Sequence, residues 1–335
     1  MEASFAMTQF KAIVAREVDR RSKGSLEELT LADLPDRDVL IQIDCSSLNY
    51  KDALAVSGRG RICREMPMVC GIDLAGTVVE SSSPEWGPGD RVVVNGFGMS
   101  ETVWGGYSQF QRVASEWLVR LPEAFSFQQA MAIGTAGYTS MLCVHALQDH
   151  GLEPGDGQVC VTGASGGVGS VALLLLAKLG YQAVAVSGRP SMEGYLRELG
   201  AVNVIDRAEL DRDPRPLDKE LYSAGIDCVG SKTLATLLSQ TRYEGIVAAC
   251  GLAGGADLPA TVMPFILRGV TLRGIDSVMA DQKRRQRAWD DLARLVDPAH
   301  LADVFEVRPM SQIPELATEL LDGKLRGRIV VDVNA

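Results

Sequence analysis

Val161-Thr162-Gly163-Ala164-Ser165-Gly166-Gly167-Val168-Gly169-Ser170 is the stretch that decides the fold. It continues the apolar run Val159-Cys160-Val161, which reads as a strand, and it opens residues 168–179, which read as a helix. Glycines spaced Gly163-x-x-Gly166-x-x-Gly169 at a strand-to-helix turn let the backbone approach a pyrophosphate without a Cβ in the way. The free N–H groups and the positive helix end then face the anion. Taken alone, a glycine-rich turn is weak evidence and fits a structural turn equally well; the series around it carries the reading. Ala183-Val184-Ala185-Val186 reads as a strand, residues 193–199 as a helix and Val202-Asn203-Val204-Ile205 as a strand. Two further apolar runs, 225–229 and 245–250, continue the series. Apolar strands alternating with helices predict a parallel sheet covered on both faces, a doubly wound α/β domain.

The strand after the glycine turn ends Val186-Ser187-Gly188-Arg189. A site for NAD usually carries an acid here for the ribose 2′-hydroxyl. This chain offers a hydroxyl, a glycine and a guanidinium, which suits a 2′-phosphate and favours NADPH over NADH. Arg207, just after the following strand, is a second candidate cation, with a solvated surface charge as the plainer alternative.

Upstream of the turn the texture differs. Val39-Leu40-Ile41-Gln42-Ile43-Asp44 alternates, Thr77-Val78-Val79-Glu80 and Arg91-Val92-Val93-Val94 are strand-like, and Gly87-Pro88-Gly89-Asp90 is a turn. Residues 11–121 therefore predict a mostly antiparallel, barrel-like β domain. Residues 130–150 read as helical with interruptions near Gly134 and Gly137, and residues 327–333 as a strand that rejoins the first domain. The expected division is 1–130 with 300–335, and 131–299.

The 335 residues suit two domains, and 46% hydrophobic with 23% charged residues is a globular balance. A net charge of −10 argues against a nucleic-acid partner. Seven cysteines with no CxxC spacing argue against a disulfide framework and for a reducing compartment, with cytoplasm as the default. Residues 159–177 are uncharged and long enough for a bilayer, but four glycines among them fit a strand, turn and buried helix better, so no membrane is expected. The N-terminus lacks a signal-peptide pattern; Met1 and Met7 are both candidate starts.

The motifs Asn49-Tyr50-Lys51-Asp52, Gly71-Ile72-Asp73-Leu74-Ala75-Gly76, Pro88-Gly89-Asp90-Arg91-Val92 and Gly105-Gly106-Tyr107 precede the glycine turn in an order that resembles the medium-chain dehydrogenase/reductase superfamily. The longer strings 46–54, Val186-Ser187-Gly188-Arg189, 249–255 and Met263-Pro264-Phe265-Ile266-Leu267-Arg268 resemble more closely the NADPH-dependent acrylyl-CoA reductase group, within the quinone-oxidoreductase-like branch. The resemblance implies a GroES-like catalytic domain, a Rossmann domain, a cleft between them and a homodimer. It also implies an NADPH site lined by Tyr50, Ser165, Gly166, Gly167, Val168, Ser187, Gly188, Arg189, Arg207, Leu252, Ile266, Ser277 and Asn334. Ser277 and Asn334 come from the resemblance alone.

Zinc-dependent members of the superfamily have Gly-His-Glu where this chain has Gly71-Ile72-Asp73, and residues 95–115 hold no cysteine. Neither a catalytic nor a structural zinc site can be assembled from these residues. The expected reaction is metal-free: hydride from NADPH to the β-carbon of a short 2-enoyl-CoA, best acrylyl-CoA, then a proton to the α-carbon. Tyr50 is the candidate proton donor or relay, with stacking on the nicotinamide as the alternative. Lys51 and Asp52 either steer substrate, fix Tyr50 or form a structural ion pair. Two basic groups suit the phosphates of an acyl-CoA: Arg59 with Arg61 and Arg64, and the run Lys283-Arg284-Arg285-Gln286-Arg287, whose plainer reading is a solvated helix face. Cys160, Cys250 and His145 read as packing residues, and Trp104 and Tyr107 as either pocket walls or β-domain core. The alternatives are an NADPH-dependent quinone or enone reductase, and an NADPH-binding protein without catalysis.

Overall fold

Short alternating segments build the first half of the chain, and parallel crossovers build the second, in a computed structural model that describes residues 7–301, 305–325 and 327–335. The question of Met1 as the start falls outside the described residues. Strands are numbered in chain order: β1 (Gln9–Val18), β2 (Arg21–Thr30), β3 (Val39–Ser47), β4 (Met68–Val69), β5 (Asp73–Ser81), β6 (Arg91–Asn95), β7 (Phe110–Val113), β8 (Val119–Arg120), β9 (Gln158–Val161), β10 (Gln182–Ser187), β11 (Ala201–Asp206), β12 (Tyr222–Asp227), β13 (Thr241–Ala249), β14 (Thr271–Gly274), β15 (Phe305–Pro309) and β16 (Arg328–Asp332).

The chain divides into two compact units, one of Met1–Thr135 with Ser277–Ala335 and one of Ala136–Asp276. In the first, a sheet ordered β15-β16-β3-β5-β6-β8, with β7 added to β3, accompanies a small sheet β2-β1-β4. Every pairing except β15 with β16 is antiparallel. β16 lies against β3, so the chain's end closes the first domain as its sequence predicts. Ile13, Ile41, Ile43, Leu74, Val92 and Tyr107 meet in its core, each fully enclosed. Burying side chains of this size contributes about 1.5–3 kcal/mol apiece.

The second unit is a six-stranded parallel sheet ordered β11-β10-β9-β12-β13-β14. Counted from β9, that is the 3-2-1-4-5-6 order of a dinucleotide-binding fold, whose ligands sit beyond the carboxyl ends of the strands at the switch point. β14 and the Ser231–Gln240 helix were not singled out from the sequence. Thr271-Leu272-Arg273-Gly274 is short and half polar, which hides it from periodicity.

Two expectations need correction. The stretch 277–299 falls in the first unit, not with the Rossmann domain. Its helix Gln282–Leu295 is anchored there because Arg285 is buried. That guanidinium donates to the carbonyls of Ala280 (2.8 Å), Val278 (2.7 Å) and Asn95, and lies 3.8 Å over the Phe97 ring. The Trp289 indole donates to Asn95 Oδ1 at 3.2 Å. The basic run therefore gives one of its arginines to the core rather than to an anion. The helix Phe127–Asp149 breaks at Gly134 (φ 51°, ψ −158°) but runs through Gly137. It is long and apolar enough to cross a membrane, yet most of it is buried inside the fold. Residues 159–177 resolve into β9, the glycine turn and the helix Gly167–Lys178.

Candidate functional site

In the second unit the glycine turn is as tight as its spacing requires. Gly163 sits at φ 59°, and its carbonyl accepts the Gly166 N–H at 2.9 Å. A Cβ on Gly169 would come within 2.5 Å of the Gly163 oxygen, so only glycine lets the helix start this close to β9. Gly166 caps the helix Gly167–Lys178 in extended conformation, with no side-chain cap, so no side chain of the cap occupies the first N–H groups of the helix. Thr162 at the end of β9 donates to Asp227 Oδ1 at 2.6 Å, and Asp227 Oδ2 accepts the Gly230 N–H at 2.8 Å. These bonds lock the ends of β9 and β12 together; burial pushes the Asp227 carboxyl up while they pull it down.

At the end of β10 the predicted phosphate seat assembles. Arg189 Nη2 donates to Ser165 Oγ at 3.0 Å, the Arg189 N–H donates to Ser187 Oγ at 3.2 Å, and the Ser187 and Ser165 hydroxyls stand 3.4 Å apart. A Cβ on Gly188 would lie 2.5 Å from Arg207 Cδ and 2.6 Å from its Nε, so Arg207 rests directly on the glycine backbone. Two guanidiniums and two hydroxyls thus border the start of the glycine turn, which fits a 2′-phosphorylated dinucleotide. Leu252, beyond β13, and Ile266, in the Met263–Arg268 helix, are exposed apolar side chains on the same unit.

Cys250, read as a packing residue, has Cys228 beside it. They follow β12 and β13, are partly exposed, and hold their Sγ atoms 3.8 Å apart. Thiol donors from Cys143 and Cys228 pull the Cys250 thiol well below its usual range, while burial pushes Cys160 up. Twenty-two residues separate the pair in sequence, so spacing gave no sign of it.

In the first unit Asn49-Tyr50-Lys51-Asp52 opens the helix Tyr50–Ser57. The Asn49 N–H donates to Asp52 Oδ2 at 3.0 Å, half of a capping box that fixes how the helix begins and where Tyr50 points. Tyr50 is 55% exposed, open to a ligand. Lys51 pairs with Glu101 rather than with Asp52. Asp52 is enclosed, and its Oδ1 accepts the Ile72 N–H at 2.9 Å. Burial and the neighbouring Asp73 push its carboxyl up to about 7. Asp52 is thus held in the cap at the start of the helix that Tyr50 opens.

Beneath the cap lies a polar network that local sequence did not show. Buried Asp73 accepts the N–H groups of Ser47 (3.0 Å) and Thr135 (2.9 Å), the Ser47 hydroxyl (2.8 Å) and Asn49 Nδ2 (3.3 Å). Buried Arg328, on β16, donates to Ser47 Oγ (3.0 Å), Asn49 Oδ1 (3.1 Å) and the Ala132 carbonyl (3.1 Å). A Cβ at Gly134 would sit 2.7 Å from Ser47 Oγ and 3.0 Å from Asp73 Oδ2, which accounts for the helix break. Tyr107 is also buried, its hydroxyl donating to the Ser47 carbonyl at 3.0 Å, so it belongs to the core and not to a pocket wall. Asn334 Nδ2 donates to the Ile43 carbonyl at 3.1 Å, and the Ser277 carbonyl accepts from Arg285 at 3.3 Å. Arg61 and Arg64 line a depression beside the Tyr50–Ser57 helix.

The residues present do not fit a zinc ion. Ile72 has no ligating atom, the Asp73 carboxylate is committed to five donors, and among the described residues no group of three or more His, Cys, Asp or Glu is placed to hold a metal.

Two family models match the chain: alcohol dehydrogenase GroES-like domain over residues 35–123 and zinc-binding dehydrogenase over residues 167–296. Acrylyl-CoA reductase AcuI of Ruegeria pomeroyi is 48% identical, over 97% of this chain and all of its own. The crystal structure of the yhdH oxidoreductase from Salmonella enterica in complex with NADP is 48% identical with a TM-score of 0.94, covering 97% of this chain and 99% of its own. That of Bacillus subtilis yhfP with NAD bound is 40% identical with a TM-score of 0.93, covering 97% and 99%. The chain therefore belongs to the medium-chain dehydrogenase/reductase superfamily, in its acrylyl-CoA reductase group.

Proposed function

We propose that this chain is an NADPH-dependent reductase of the C=C bond of a short 2-enoyl-CoA, with acrylyl-CoA reduced to propanoyl-CoA. The observation that carries the cofactor is the seat of Ser165, Ser187 and Arg189 with Arg207 on Gly188. The substrate rests on end-to-end similarity at 48% identity to an acrylyl-CoA reductase. When bound, NADPH supplies the hydride for the β-carbon. On the second unit, Gly166, Gly167 and Val168 offer backbone N–H groups to the diphosphate. Ser187, Gly188, Arg189 and Arg207 surround the 2′-phosphate, and Leu252 and Ile266 offer apolar surface.

On the first unit we assign Tyr50, Ser277 and Asn334 to the same reaction. Tyr50, oriented by the Asn49–Asp52 cap, delivers or relays the proton to the α-carbon as charge leaves the thioester oxygen. Lys51, held by Glu101, positions the turn that carries Tyr50. We further propose a homodimer located in the cytoplasm, consistent with the resemblance and with seven free thiols.

NADPH oxidation with acrylyl-, crotonyl- and longer enoyl-CoA esters, with NADH as control, tests the reading. Fastest turnover on acrylyl-CoA with NADPH is expected. Turnover confined to a quinone or to acrylamide points to the enone-reductase alternative, and NADPH binding without turnover on any of them points to a non-catalytic protein. Tyr50→Phe lowers kcat on acrylyl-CoA at least about a hundredfold if the phenol moves the proton; near-wild-type turnover removes it from the proton path.

A further inference from the structure

We propose that the arginine-lined depression at the end of the Tyr50–Ser57 helix seats the phosphorylated nucleotide of the CoA thioester; this rests on the enoyl-CoA reading above. The depression has a volume of about 630 Å³, and five arginines, Arg20, Arg21, Arg59, Arg61 and Arg64, line it against the single acid Glu17. In a chain of net charge −10 such a concentration of guanidinium groups needs a cause. Arg59 is ion-paired to Asp322 at 2.7 Å, and Arg64 lies 3.8 Å from Glu101. Among the described residues Arg20, Arg21 and Arg61 have no acid within ion-pair distance, so three cations face one pocket unneutralised. Like charges held together repel, and an arrangement of this kind is stabilised by a polyanion.

The fold builds this pocket by bringing two distant segments together. The β1–β2 hairpin turns through Asp19 and Arg20, both at positive φ (51° and 62°), which matches the twist of a two-residue loop and puts Arg20 and Arg21 at the tip. The Tyr50–Ser57 helix ends at Gly58 with φ 67°, and a Cβ there would lie 2.2 Å from the Ser22 carbonyl. Only glycine lets the Arg59–Arg64 segment pass so close to the hairpin. The Ser22 hydroxyl donates to the Ala55 carbonyl at 2.8 Å and pins the hairpin to the helix.

The distance to Tyr50 agrees with the ligand. Tyr50 begins the helix and Gly58 ends it, and eight helical residues span about 12 Å. A pantetheine arm, a dozen or so bonds of ordinary length, reaches roughly 15 Å when extended. A thioester at Tyr50 thus places the diphosphate and 3′-phosphate of CoA at the arginines. Arg64 also contacts Glu101, the partner of Lys51, so the pocket and the Tyr50 turn share one acid.

The test uses the full chain. Calorimetric titration with CoA, dephospho-CoA and inorganic pyrophosphate measures the seat without turnover, and steady-state rates compare acrylyl-CoA with acrylyl-pantetheine. We expect CoA to bind tighter than dephospho-CoA and pyrophosphate, and the CoA ester to have a KM at least tenfold below that of the pantetheine ester. Arg21→Ala with Arg61→Ala raises KM for acrylyl-CoA at least tenfold with kcat within twofold, and erases the preference for the CoA ester. Urea unfolding of the same variant, followed by the fluorescence of tryptophans that all lie in the first unit, reports whether that unit is folded. Should that variant be unfolded, Arg20→Gln at the hairpin tip gives a smaller rise of the same sign. Equal KM values for the two esters, or CoA binding unchanged by the substitutions, overturn the proposal while leaving the reductase reading intact. If neither ester is reduced but CoA still binds in an arginine-dependent way, the reductase reading fails and the nucleotide seat stands.

Discussion

Asp73→Ala removes the carboxylate on which the Tyr50 turn rests, and its cost follows from the network. Two backbone N–H groups, of Ser47 and Thr135, lose their acceptor inside the protein, as does the Ser47 hydroxyl. Arg328, buried, loses the carboxylate that most favours its charged form. Taking one partner from a buried charged network costs about 3–5 kcal/mol. For a unit of this size that corresponds to a fall in Tm of roughly 6–20 °C, at about 2–4 °C per kcal/mol. All four tryptophans, Trp86, Trp104, Trp117 and Trp289, lie in the first unit, so urea unfolding followed by tryptophan fluorescence reports that unit alone. Arg328→Met is costly by itself for the same reason. The double variant Asp73→Ala with Arg328→Met should fall short of the sum of the two by roughly 1–3 kcal/mol, because neither charge is then left unpaired. A loss below 1 kcal/mol for Asp73→Ala, or strict additivity in the double variant, would refute the view of this cluster as one charge-balanced unit.

The remaining predictions concern cofactor choice and pH. Arg189→Ala should weaken NADPH about 10–100-fold, the worth of one or two charge-assisted hydrogen bonds, and leave NADH affinity within twofold, as read by cofactor fluorescence titration. Gly188→Ala keeps every charge but drives a methyl into Arg207 Cδ and Nε, so it should cost NADPH affinity several-fold and reduce its salt dependence without changing NADH binding. Asp52, pushed up to about 7, favours the protonated carboxyl in the folded state. Its contribution to stability is complete below about pH 4 and is lost as pH rises towards 7, a swing on the order of 4 kcal/mol at most. Relative to wild type, Asp52→Asn should therefore gain stability from pH 4 to 7 in urea titrations; a flat difference curve would show that Asp52 is already ionised.

The glycine turn, the strand before it and the helix after it were legible because their constraints are local: spacing, periodicity and the absence of a Cβ. Ser187 and Arg189 stand out for the same reason, since they lie at the end of the strand that follows that turn. In sequence the basic run of the helix Gln282–Leu295 reads as a solvated face, and only the carbonyls of Asn95, Val278 and Ala280 explain a buried arginine there. Likewise Asp52 and Lys51 sit side by side in the chain but turn to different partners, one inward and one to Glu101.

The amino-acid order by itself determined the two-domain class, the dinucleotide turn and the preference for a phosphorylated ribose, since each is written in neighbouring residues. Tertiary structure alone decided that Asp73 and Arg328, separated by most of the chain, share one polar core, and that hairpin and loop arginines meet in one pocket. The reason is physical. Hydrogen bonds and charge balance act through space over a few ångströms, and partners far apart in sequence leave no periodic trace of where the backbone will bring them.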